Sequence, residues 1–260
     1  MIIRLVLRFL FKNEHKENIT PFELSGKWNY FERRQKLWIF YSRMVWDAMK
    51  RGYFITFEGP EGAGKSSQIQ LLGAALTAAG HEVVVTREPG GTPLAEAIRN
   101  VVKGHQGGEE VHPVTELLLM EAARSQHVSQ VIVPAIAAGK IVLCDRFFDS
   151  TTAYQGGGRG LDMKTILQLN SYASLGVVPD LTILLDLAPE RGFERTERRA
   201  ETQGEYDRFE LEKLDFHRRV RAVFLELARR EPQRIRVVDA DRGQSAIQKD
   251  IKEAVDELVR

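Results

Sequence analysis

The clearest chemistry in the chain lies in the run Gly59-Pro60-Glu61-Gly62-Ala63-Gly64-Lys65-Ser66, with Ser67 beside it. The run fills the pattern G-x-x-x-x-G-K-[ST], between a strand-like segment and a helix-like one. Its glycines let successive backbone N–H groups turn inward around phosphate oxygens. The helix that follows adds the partial positive charge of its N-terminus. Lys65 can reach the β- and γ-phosphates, and the Ser66 hydroxyl can ligate Mg²⁺. This predicts a site for ATP with Mg²⁺. It leaves the reaction open, because kinases and ATPases share the pattern.

Two further segments carry chemistry at strand ends. In LCDRFFDSTTAYQGGGRG (143–160), Asp145 ends an apolar run and can hold Mg²⁺, directly or through water. Arg146 follows at once, and an arginine fork there suits a second phosphate near the first. An Asp-Arg surface pair is the bland alternative. In TREPGGT (86–92), Arg87 and Glu88 precede a turn-forming Pro-Gly-Gly. Either segment alone could be a solvated loop. Two of them, each following a strand, point to a shared site.

The elements that position these residues alternate regularly from Tyr53 onward. Strand patterns cover 53–58, 82–86, 140–145, 181–186 and 235–239. Helical patterns cover 65–80, about 93–102, about 114–137 and about 163–175, with a charged helical region at about 189–230 and a last helix from Gln244. Such alternation predicts an α/β fold with a five-stranded parallel sheet flanked by helices. Ligands then gather at the carboxyl ends of the strands.

The bulk numbers fit this reading. The 260 residues can bury a core, and the net charge of +1 gives no global field for nucleic acid or an anionic membrane. The single cysteine, Cys144, allows no intrachain disulfide and suits a reducing cytoplasm. Residues 1–50 differ: they carry 10 Lys/Arg against 5 Asp/Glu and hold Trp28, Trp38 and Trp46. The opening MIIRLVLRFLF is broken by Arg4 and Arg8, and no cleavage site follows it. We expect an N-terminal extension over 1–50 and a nucleotide-binding domain over 51–260. Met49 is the expected start of the working enzyme, with an amphipathic helical appendage as the alternative.

GPEGAGKS, TREPGGTPLAEAIR, EAARSQHV, DRFFDSTTAYQGGGRG, PDLTILLDL and GEYDRFE occur in this order and resemble the bacterial thymidylate kinases. The resemblance implies a P-loop kinase fold with a lid at about 189–210. It implies transfer of phosphate from ATP to dTMP with Mg²⁺, and a cytoplasmic homodimer. By the same resemblance, Glu61 approaches the acceptor nucleotide, and Arg99 and Arg146 grip the dTMP phosphate. Arg124 reads the thymine edge, Tyr154 packs under the sugar, and Gln155 and Ser150 lie on the acceptor side. Glu88 and Asp145 organise magnesium together with Ser66. Met120 stands where the family commonly has an aromatic residue over the thymine. The cradle holds no arginine, so the lid is expected to supply one from Arg195, Arg198, Arg199 or Arg208. Arg198 and Arg199 are the leading pair.

The alternatives are another P-loop nucleotide or nucleoside kinase and an ATPase without an acceptor. A free hydroxyl acceptor needs a base, whereas a phosphate monoester is already mostly dianionic at neutral pH, its second pKa being about 6. The sequence offers several arginines and no histidine placed for catalysis, which favours a phosphate acceptor.

Overall fold

The computed structural model describes residues 52–104, 109–203 and 208–259, without the side chains of 199–203. The expected N-terminal extension and the Met49 start lie outside the described residues.

Five strands form one parallel sheet: β1 (Tyr53–Glu58), β2 (Val83–Arg87), β3 (Ile141–Asp145), β4 (Leu181–Asp186) and β5 (Ile235–Asp239). Their spatial order is β2-β3-β1-β4-β5. The order reverses on either side of β1, so a crevice opens at its carboxyl end. Register makes the tips level there: Phe57 and Arg87 both pair with Asp145.

The central strands are apolar on both faces, as a sheet covered on both sides requires. From β1, Ile55 and Phe57 enter one cluster while Phe54 enters another. The first cluster is roofed by α1 (Lys65–Ala78) and α9 (Gln244–Val259). On the opposite face, α3 (Pro113–His127) runs through a π-helical turn at Val128–Ile132 into α4 (Val133–Ala137). Also present are α2 (Pro93–Gly104), α5 (Phe148–Thr151) and α6 (Met163–Ala173).

Two features differ from the sequence expectation. The charged region at 189–230 is two helices, α7 (Pro189–Gln203) and α8 (Leu214–Arg230). More telling, Thr152–Gly158 continues α5 as a π-helix through three glycines. Glycine is a poor helix former, so propensity hides this element. Packing explains it. A Cβ on Gly157 would lie 2.6 Å from a Val223 methyl, and one on Gly158 2.4 Å from the Phe216 ring. The glycines let this turn lie directly on α8, which brings Tyr154 and Gln155 to the crevice.

Candidate functional site

The site begins at the loop after β1. Gly59, Gly62 and Gly64 have φ of 134°, 73° and 87°, values that favour glycine. Gly64 caps α1 with a left-handed backbone, so the first N–H groups of α1 face the loop. Lys65 is buried and donates from Nζ to the carbonyls of Gly59 (3.1 Å) and Pro60 (2.8 Å). Burial and the Arg146 charge pull its ammonium down to about 8. Ser66 Oγ donates to Asp145 Oδ2 at 2.7 Å. The cradle and the tip of β3 therefore meet as the level strand ends require.

Arg146 follows the tip with a φ of 70°, a left-handed conformation rare outside glycine. Its guanidinium is held from several sides. Nη2 donates to Glu61 Oε1 (2.6 Å) and the Tyr154 hydroxyl (3.1 Å), and Nη1 to Ser150 Oγ and the Gly59 carbonyl (both 3.0 Å). Tyr154 also donates to Glu61 Oε1 at 3.2 Å. Burial alone would raise the Glu61 carboxyl, but Arg146, Lys65 and Lys103 together hold it well below the usual range. The backbone strain at Arg146 is an observed outlier at a charged cluster, a pattern typical of functional sites.

A cavity of about 670 Å³ joins these groups. Glu61, Lys65, Ser66, Ser67, Glu88, Arg99, Met120, Arg124, Asp145, Arg146, Ser150, Tyr154 and Gln155 all line it. The structure thus brings almost the whole expected set to one crevice. No histidine is among the described lining residues.

Several members of the set are also tied to one another behind the cavity wall. Arg124 is buried and donates four hydrogen bonds: Nε to Glu88 Oε2 (2.8 Å), Nη1 to Glu121 (2.8 Å) and Asn170 (3.2 Å), and Nη2 to Thr151 (2.9 Å). It is the hub of a polar network, reaching the cavity only in part. Glu88 pairs its other oxygen with His127 Nδ1 at 2.9 Å. Each of its carboxylate oxygens thus accepts from one buried partner, and the residue still lines the cavity. The peptide bond from Glu88 to Pro89 is cis, and the Pro89 carbonyl accepts from Arg99 Nη1 at 2.9 Å.

The lid arginines also differ. Arg198 is exposed and absent from the cavity wall, and the side chain of Arg199 is outside the described residues. Arg195 reaches the cradle instead, donating to the Gly62 carbonyl at 3.3 Å and the Ala240 carbonyl at 3.0 Å. The reason is close backbone approach. Gly62 and Gly192 face each other so tightly that a Cβ on either would come within 2.6 Å of the other segment's backbone. The start of α7 rests on the cradle; one turn along it Arg195 turns to the Gly62 carbonyl, whereas Arg191, next to Gly192, turns away to Asp241.

Sequence reasoning missed Glu58 and Phe147. Glu58 is buried at the end of β1. It accepts from the N–H of Phe147 (2.7 Å) and Ser150 (3.3 Å) and from Ser150 Oγ (2.5 Å). It caps α5 and reaches Arg146 through Ser150. Burial, then Asp149, pushes its carboxyl up to about 7. Phe147 lines the cavity with the Arg124 guanidinium 5.4 Å from its ring centroid. A carboxylate ending an apolar strand was the available signal for Glu58.

A family model for thymidylate kinase matches residues 57–251, well over half of the chain. The chain belongs to the thymidylate kinase family. Among relatives, the thymidylate kinase of Pelobacter propionicus is 52% identical over 194 residues, covering 74% of this chain and 88% of the relative. That of Deinococcus radiodurans is 50% identical over 209 residues, covering 80% and 98%. The crystal structure of thymidylate kinase from Ehrlichia chaffeensis superposes with a TM-score of 0.63 at 33% identity, covering 78% of this chain and 98% of that one. Among the described residues, no helix is long and apolar enough to cross a membrane.

Proposed function

We infer that this chain phosphorylates dTMP to dTDP with ATP, a step toward dTTP for DNA synthesis. Family membership supplies the reaction. The placement of Arg146 carries the assignment of roles, because it shares one crevice with Lys65, Ser66 and Asp145. The acceptor phosphate, a dianion, supplies its own nucleophilic oxygen, so no side chain has to remove a proton. The obstacle is repulsion between two phosphates. Lys65, Arg146 and Arg99 offset it, and the rigid partners of Arg146 hold the acceptor in line.

Magnesium fits the residues present. Ser66 Oγ and Asp145 Oδ2 are 2.7 Å apart, an oxygen pair of the kind a hard cation takes, beside where phosphate oxygens lie. When bound, the ion would neutralise charge on the transferring phosphate. Ser66 and Asp145 would hold it.

Lys65 rests against two loop carbonyls that phosphate oxygens replace. Tyr154 keeps its ring in a cluster with Phe209, Phe216 and Phe224, with its hydroxyl on Glu61 and Arg146. This anchoring at the cavity wall supports a role for the ring under the sugar. Of the described lid arginines, Arg195, at the Gly62 carbonyl, is the one nearest the transferring phosphate. A cytoplasmic location and a homodimer belong to the same reading. The homodimer rests on the family resemblance, and Leu118, Leu167 and Tyr172 on α3 and α6 are exposed apolar residues at which to probe it.

A coupled ADP assay with dTMP, dUMP, dCMP and thymidine decides the function. Turnover is expected with dTMP above all. An acceptor preference for thymidine, or ATP turnover indifferent to dTMP, overturns the reading. Light scattering tests the dimer.

A further inference from the structure

Glu116 lies in the first turn of α3 with no exposed surface, and the roles above do not use it. A buried carboxylate is costly unless it is paired and hydrogen-bonded. Three side chains meet that need. Gln155 Nε2 donates to Oε1 at 2.7 Å. Arg159 donates through Nε (3.2 Å) and Nη2 (3.1 Å), and Arg208 through Nη2 at 2.5 Å. Arg159 also pairs with Glu212, so two guanidiniums face two carboxylates. Arg208 Nε holds the Val102 carbonyl at 3.1 Å.

The cluster has two consequences for the cavity. A carboxylate only accepts, so Gln155 must turn its amide NH₂ toward Glu116 and its carbonyl end away. The second concerns Phe209, which lines the cavity. Arg208 and Arg159 place their guanidiniums 4.9 and 5.8 Å from its ring centroid, and the ring packs edge-on against Tyr154 at 5.8 Å. Pull the guanidiniums away and that wall loses its support.

We propose that Glu116 is a positioning residue for phosphoryl transfer. From behind the cavity it orients Gln155 and ties Arg208–Glu210 to the π-helical turn, closing the acceptor end against water. The inference rests on reading this end of the cavity as the dTMP site. A loosened wall admits water, which attacks the γ-phosphorus of ATP and releases ADP and inorganic phosphate in place of dTDP.

The test uses the full chain as wild type, Glu116→Gln, Arg208→Met, Arg208→Lys and the Glu116→Gln/Arg208→Met double variant. ADP and dTDP are measured in the same reactions. In Glu116→Gln and Arg208→Met, the share of ADP formed without dTDP should rise about fivefold, and the KM for dTMP about tenfold, with the KM for ATP within about twofold. Arg208→Lys, which keeps the charge, should recover part of both. The double variant should be no worse than Glu116→Gln alone, since the two residues act as one unit. Unchanged ADP-to-dTDP ratios in a folded Arg208→Met protein overturn the proposal, even if Glu116→Gln fails to fold. Multiplying effects in the double variant overturn it too. A wild-type protein that makes no dTDP instead sinks the assignment of function.

Discussion

Ser66 Oγ and Asp145 Oδ2 stand 2.7 Å apart, although 79 residues separate them in the chain. The contact joins the first turn of α1 to the tip of β3. It exists because β1 and β3 are neighbours in register, Phe57 opposite Asp145. Asp145→Asn keeps the shape and removes the charge. We expect turnover to fall by about 10²–10³-fold, the scale of losing one electrostatic contact in a transition state. Titration of activity with Mg²⁺ checks it, and an unchanged Mg²⁺ requirement contradicts the assignment.

Arg146 offers a prediction that separates strain from function. Its φ of 70° costs about 1–2 kcal/mol for a residue with a Cβ, and glycine relieves it. Both Arg146→Ala and Arg146→Gly should lose dTMP-dependent activity. Arg146→Gly should nevertheless be the more stable of the two by about 1 kcal/mol, after its extra unfolded-state entropy is counted. Urea melts of the pair measure this. Equal stability would mean that the left-handed backbone relaxes without cost.

Glu58 gives a pH signature. Its folded pKa is raised to about 7 from the usual 4.5, so the folded state binds its proton more tightly than the unfolded chain does. Its contribution favours folding most below about 4.5 and is lost as pH rises through about 7. His217 works the other way, because burial lowers its pKa and its contribution grows as pH rises toward 6.5. The measurement is therefore a difference. Between pH 5 and about 8, wild type should lose more melting temperature than Glu58→Gln does. Parallel curves would show that Glu58 titrates normally.

The glycines of the π-helical turn should be intolerant of a methyl group. Gly158→Ala places a Cβ 2.4 Å from the Phe216 ring, and overpacking of this kind costs about 1–3 kcal/mol. Because Tyr154 and Gln155 ride on the same turn, the KM for dTMP should rise with the loss of stability. Adding Phe216→Leu to make room should restore part of both. A Gly158→Ala protein with wild-type melting and kinetics would place the turn away from α8.

The sequence by itself determined the cradle, the five strands and the nucleotide chemistry. These are encoded locally. A strand reads from its apolar run, and the phosphate loop from glycines at fixed spacing, because each depends on residues adjacent in the chain. What the tertiary structure decided depends on contacts between distant segments. The π-helical turn at Thr152–Gly158 exists because α8 packs on its glycines, against their own propensity. Arg124 and Glu88 look alike as exposed charges in sequence, yet 36 residues apart they close into one buried pair. Arg195, and not Arg198, meets the cradle because Gly192 and Gly62 let two backbones approach. Burial and charge pairing are properties of the assembled crevice, so no window of sequence carries them.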